Sequence, residues 1–162
     1  MDKRTSRTAV GLLAIAMLHA APAVAQDGPK FFLNATAVDP DDSAVVYTSD
    51  GSMWKSSDSG TTWAHLANRI VAWSIVVSSP DTETNPEAEK IMYAATQEDG
   101  VVWSTDDETW TAGNGLSGRV GAVAAHPDGE SVFAGAEDAI YVSRDRGRNL
   151  WFWHSFTQRR RQ

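Results

Sequence analysis

Ser56-Ser57-Asp58-Ser59-Gly60-Thr61-Thr62-Trp63 is the stretch on which the reading of this chain turns. Five of its positions, Ser56, Asp58, Gly60, Thr62 and Trp63, meet the needs of a tight reversal between two strands. Gly60 permits positive φ where the chain reverses. Asp58 can accept hydrogen bonds from backbone N–H groups that a tight loop leaves unpaired. Ser56 and Thr62 offer hydroxyls on the two facing strands, and Trp63 can cover the hairpin with a large apolar face. The same order returns twice. Ser104-Thr105-Asp106-Asp107-Glu108-Thr109-Trp110 keeps Ser104, Asp106, Thr109 and Trp110, lacks the glycine and is one residue shorter. Ser143-Arg144-Asp145-Arg146-Gly147-Arg148-Asn149-Leu150-Trp151 keeps Ser143, Asp145 and Gly147, carries Asn149 in place of the threonine, and has its tryptophan one position late. Asp58 and Asp106 are 48 positions apart and Asp106 and Asp145 are 39 apart, which brackets the length of a four-stranded repeat unit.

What precedes each copy also repeats. Ala35 to Pro40, Ser74 to Pro80 and Val120 to Pro127 are short apolar runs closed by proline, each read as a buried first strand. Second strands follow at Val45-Val46-Tyr47, Ile91-Met92-Tyr93 and Ser131-Val132-Phe133. Turns at Asp50-Gly51, Asp99-Gly100 and Glu137-Asp138 then lead to third strands ending at Ser56, Ser104 and Ser143. No helical periodicity is sustained beyond the first 25 residues, so the chain reads as all-β. The polar stretch Asp81 to Lys90, with Pro86 inside it, reads as a loop inserted into the middle repeat. After Gly147 the spacing slips, which makes the last fourth strand suspect and favours reading Trp151 onward as the tail of a disrupted repeat.

The pattern S-x-D-x-G-x-T-W resembles the Asp-box, or BNR repeat, found on hairpins of β-propeller blades. The resemblance covers about Phe31 to Trp151 and implies a partial β-propeller of about three four-stranded blades, near residues 31–67, 70–113 and 119–155, within a domain of residues 26–155. Proteins with such repeats include sialidases, xyloglucanase-type glycoside hydrolases, the sortilin luminal domain and a photosystem II assembly factor. In them the boxes lie at the periphery, away from any active site. The twelve box residues named above are therefore expected to be structural. Three blades do not close a ring. The chain is then a fragment, or it assembles with other copies, or it is marginal, with apolar blade faces left open at both ends.

Lys3, Arg4 and Arg7, the apolar run Ala9 to Leu18 and Ala23-Val24-Ala25 have the layout of a secretory signal peptide over residues 1–25, with cleavage before Gln26. The expectation is export to a bacterial periplasm or the extracellular space. The whole chain has a net charge of −7, and the leader holds three of its basic residues but only Asp2 among its acids. Such a surface repels phosphate, so nucleic acid is not an expected partner; the one dense basic run, Arg159 to Arg161, lies in a tail at 156–162. With no cysteine there is no disulfide framework, thiolate nucleophile or cysteine-based zinc site.

No catalytic residue, cofactor or metal site is assigned. A glycoside hydrolase needs two carboxylates facing each other across a sugar. Here Asp58, Asp106 and Asp145 belong to the boxes, Asp39, Asp50, Asp99 and Asp128 sit in turns, and Glu83, Glu87 and Glu89 lie in the insertion. Arg69-Ile70-Val71 only approaches the Arg-Ile-Pro of sialidases. Tyr47, Tyr93 and Phe133 share one repeat position, so a phenolic hydroxyl is not required there, and Tyr141 reads as structural too. His65, His126 and His154 are too scattered for a metal. The sequence therefore points to an exported, non-catalytic interaction module for a protein or glycan ligand, self-associating to complete its ring. The alternative is a truncated xyloglucanase-like or sialidase-like hydrolase whose catalytic blades lie elsewhere.

Overall fold

The computed structural model describes residues 28–30, 32–80, 89–137 and 139–156. The leader, the start of the mature chain at Gln26, most of the 81–90 insertion, Asp138 and residues 157–162 of the basic tail lie outside the described residues.

Twelve strands form among the described residues, in three antiparallel sheets of four. The first sheet holds β1 (Ala35–Val38), β2 (Val46–Ser49), β3 (Ser52–Ser56) and β4 (Ala64–Asn68). The second holds β5 (Ala72–Ser78), β6 (Ile91–Thr96), β7 (Val101–Ser104) and β8 (Thr111–Ala112). The third holds β9 (Ala122–Ala125), β10 (Val132–Ala136), β11 (Ala139–Ser143) and β12 (Trp151–Ser155). Every sheet is a simple meander in chain order. The first strands β1, β5 and β9 lie against one another in turn, so the three sheets fan out from a common line.

Neighbouring sheets meet face to face, and side-chain alternation decides which residues fill each gap. Tyr47 and Met53 of the first sheet pack with Ile75, Met92, Ala94 and Val102 of the second. The opposite face of that second sheet presents Ile91, Tyr93, Ala95 and Val101 to Val123, Val132 and Ala134 of the third. The middle sheet is thus covered on both sides. That is why β6, Ile91-Met92-Tyr93-Ala94-Ala95-Thr96, is apolar at five consecutive positions and buried at all six. β10 alternates instead between buried and half-buried residues, because only one of its faces is covered.

The last fourth strand, suspect in the sequence, is present and completes the third of the four-stranded blades. β12 pairs with β11 through Val142↔Trp151 and Tyr141↔Phe152, then shifts by one residue across a bulge to Ile140↔His154. A second correction concerns the two ends. The outer face of the third sheet is apolar, with Phe133, Ile140, Val142 and Trp153, and Phe133 and Trp153 ring centroids lie 5.4 Å apart. The outer face of the first sheet is mixed, with Thr36, Thr48 and His65 beside Val38, Val46 and Trp54. Thr48 donates to the Ala35 carbonyl at 2.8 Å and lies 3.3 Å from the Thr36 hydroxyl; Trp54 donates to Asp50 at 2.8 Å and stacks edge-on against His65.

Candidate functional site

Each third strand ends on a buried serine that opens a turn. At the first, the Ser56 hydroxyl donates to Asp58 at 2.8 Å and accepts from the Gly60 N–H at 2.8 Å. Asp58 in turn takes the Thr62 N–H at 2.8 Å and the Thr62 hydroxyl at 2.6 Å. Ser59 and Gly60 both have positive φ, 57° and 88°, so one non-glycine residue takes the left-handed conformation beside the glycine. The hydrogen bonds from the Thr62 hydroxyl, the Thr62 N–H and Ser56 hold the Asp58 carboxyl below the usual carboxylate range. Trp63 is only half-buried; its indole N–H reaches the Gly60 carbonyl at 3.0 Å and its ring lies against Gly28.

The third turn copies the first with different atoms. Ser143 donates to Asp145 at 2.7 Å and accepts from the Gly147 N–H at 2.9 Å. Asn149, read from the sequence as a departure, supplies both donors that Thr62 supplies: its backbone N–H reaches Asp145 at 2.9 Å and its side-chain amide at 2.6 Å. The residue after it is Leu150, 2% exposed and packed in the core, while Trp151 is 53% exposed on the strand. Leu150, not the late tryptophan, therefore stands where Trp63 stands. The second turn has lost its glycine and uses Asp107, φ 65°, alone. Asp106 still accepts from the N–H groups of Thr109 at 2.7 Å and Glu108 at 2.9 Å, which bring its pKa down to about 2. Trp110 packs against the first core cluster with Tyr47 and Met92.

The sequence-predicted structural residues are thus gathered at one end of the sheets, three turns side by side. Two of them touch the neighbouring sheet. Tyr47 donates to Asp107 at 3.1 Å and Lys55 pairs with the same oxygen at 2.6 Å, so the Tyr47 hydroxyl does have a partner. Tyr93 packs its ring edge on Gly147, and burial pushes its pKa up to about 12, against the opposing pull of Arg146 and Arg148.

The opposite end is different in character. There the turns Asp50-Gly51 and Gln97 to Gly100 and the link Arg69 to Val71 surround an open cleft of about 320 Å³ between the first two sheets, lined by Arg69, Thr96, Gln97, Glu98 and Asp99. Beside it Trp73, 37% exposed, donates to Gln97 at 2.8 Å and carries the Arg119 guanidinium over its ring at 5.1 Å. Arg69 holds positive φ, 66°. Sequence reasoning did not single out Trp73, Gln97 or Arg119. The available signal was positional: Arg69 and Arg119 each stand just before the first strand of a repeat.

Two further aspartates in turns are engaged. Asp39, buried, pairs with Lys90 at 2.8 Å and accepts from the Asp41 N–H; Asp128 accepts from the N–H groups of Glu130 and Ser131. Among the described residues no three histidines or carboxylates come together as a metal site, and no helix is long and apolar enough to cross a membrane.

No protein-family model and no curated protein matches this chain. Solved structures do. A GH74 enzyme of Niastella koreensis superposes with a TM-score of 0.54 at 19% identity, over 74% of this chain and 22% of that one. YCF48 from Cyanidioschyzon merolae gives 0.56 at 18%, over 79% and 38%. YCF48 bound to a D1 peptide gives 0.53 at 16%, over 83% and 43%. The chain spans less than half the length of each, and at these identities the likeness is one of fold: three four-stranded antiparallel sheets as blades of a partial β-propeller.

Proposed function

We propose that this chain is an exported, non-catalytic β-propeller module that binds a protein or glycan ligand in the cleft between its first two blades. The three Ser-x-Asp turns are read as Asp-boxes, with Ser56, Asp58, Gly60, Thr62, Trp63 and their counterparts serving the fold. The observation that carries the reading is the contrast between the two ends of the blades. At the turn end the carboxylates are consumed by backbone N–H groups. At the other end an open cleft combines Arg69, Gln97, Glu98 and Asp99 with the exposed Trp73–Arg119 stack. A planar aromatic face beside mixed charge suits a polar ligand that offers both an apolar surface and hydrogen-bonding groups.

Support for a binding role comes from fold analogy as well, since one structural neighbour is YCF48 bound to a D1 peptide. The hydrolase alternative draws on the same kind of analogy, to GH74 enzymes. Purified chain is assayed on xyloglucan and on a sialoside, and by calorimetry against panels of soluble glycans and of peptides. Binding of a panel member without turnover, weakened at least about ten-fold by Trp73→Ala, is the expected result. Turnover above the buffer rate overturns the non-catalytic reading, and a ligand indifferent to Trp73→Ala overturns the assignment of the cleft.

A further inference from the structure

Among the described residues, the outer face of the third blade is an inter-blade surface without a neighbour. Phe133 occupies the position of Tyr47 and Tyr93, which are 2% and 1% exposed beneath the next blade. Phe133 is instead half-buried, Gly135 beside it likewise, and Trp151 and Trp153 stand 53% and 59% exposed. We propose that a second copy of this chain docks here face to face, the two copies covering each other's Phe133, Ile140, Val142, Trp151 and Trp153. The proposal builds on the module reading by naming a partner, on a surface distinct from the cleft.

A second copy arranged head to tail fits less well. Within the chain, the first blade grips the next through polar atoms, Tyr47 and Lys55 on Asp107. In the third blade the same two positions are Phe133 and Val142, which offer no such grip. A head-to-tail mate would also present the first blade's outer face, where Thr36, Thr48, the Trp54–Asp50 pair and His65 are satisfied among themselves. Apolar surface would then be set against a face that is only partly apolar, where Val38 and Val46 alternate with Thr36 and Thr48. The ring-closing arrangement expected from the repeat count is therefore not favoured, and if its rotation did not close it would give open chains of copies.

Face-to-face docking matches like with like. It also pairs charge: Arg144 lines one end of the face and Glu137 stands in the β10–β11 turn at the other. A two-fold axis between Ile140 and Tyr141, midway along the strand from Arg144 to Glu137, brings each Arg144 toward the partner's Glu137. The exposed apolar area is on the order of 400 Å² per copy, judging from two half-exposed tryptophans and three partly covered neighbours, against about 800 Å² per partner in a standard stable interface. The dimer should be weak, with a Kd of about 1 to 100 µM.

Sedimentation of the purified chain from about 1 to 300 µM, a range that brackets this Kd, tests the proposal. A monomer–dimer equilibrium is expected, weakened at least about ten-fold by Trp153→Glu and unchanged by Val38→Glu, a substitution on the exposed part of the first blade's outer face. Arg144→Glu should weaken the dimer, and adding Glu137→Arg should restore it; this exchange carries the test should Trp153→Glu disturb folding. A monomer throughout, oligomers beyond the dimer, or equal sensitivity to Val38→Glu overturns the proposal. None of these results bears on ligand binding at the cleft, which calorimetry reads separately.

Discussion

Ser143 is fully buried, and its hydroxyl is donor to Asp145 and acceptor for the Gly147 N–H at once. Removing it leaves a buried N–H without a partner, so Ser143→Ala should lower stability by about 1–3 kcal/mol in urea unfolding. No comparable bond from a turn glycine exists at Ser104, whose turn has no glycine; there Ser104 accepts only the Asp106 N–H, at 3.3 Å. Ser104→Ala should cost less. The carboxylates of these turns predict an acid response. Asp58, Asp106 and Asp145 all titrate below the usual carboxylate range in the folded chain; for Asp145 burial pulls upward but the Asn149 and Ser143 bonds outweigh it. The unfolded chain then binds protons more readily than the folded one. Their stabilisation is complete above about pH 4 and is lost as pH falls toward 2. Melting temperature followed from pH 5 to pH 2 should drop in that window, and a flat profile would contradict the turn geometry.

Among the elements, third strands were legible in the sequence, and of the fourth strands only the last was suspect. Third strands end on serines whose spacing to aspartate is fixed by hydrogen bonding, so Ser56, Ser104 and Ser143 mark them without ambiguity. A fourth strand follows an apolar side chain that closes the turn, and that place is filled by Trp63 against Gly28, Trp110 against one core cluster or Leu150 in the other. The visible tryptophan at 151 masked the leucine before it. Leu150→Ala should therefore cost about 2–5 kcal/mol, and Trp151→Ala within about 0.5 kcal/mol, by chemical unfolding below the dimer range. The link from β8 to β9 runs against the same turn: Leu150 donates to the Asn114 carbonyl at 2.8 Å, and a Cβ on Gly115, φ 87°, would sit 2.2 Å from the Leu150 carbonyl oxygen. Gly115→Ala should destabilise by more than about 1 kcal/mol in the same assay, since both the positive φ and the contact oppose it. The cleft was illegible for a related reason. Trp73 stands in β5, Gln97 in the β6–β7 turn and Arg119 in the link from β8 to β9; they share no spacing, and only the pairing of β5 with β6 and the passage of the chain to the third blade bring them together.

At the scale of the molecule, composition alone does not say which end of the arc is sealed. Val38, Val46 and Trp54 look as apolar in the sequence as Val123, Val132 and Tyr141, yet only the latter set has a blade upon it. Thr36 and Thr48 make the difference, because their hydroxyls are satisfied within their own sheet, with Thr36 exposed and Thr48 buried beneath its neighbours. The account's central claim is the serial stacking of three blades, with the second enclosed by the first and third. Residue-resolved amide hydrogen exchange tests it most directly. The amides of β6, Ile91 to Thr96, should exchange slowest in the chain, with those of β10, whose outer face is open, protected but faster. Exchange in β6 as fast as in β10, or protection missing from any one of the three sheets, would contradict the stacked arc.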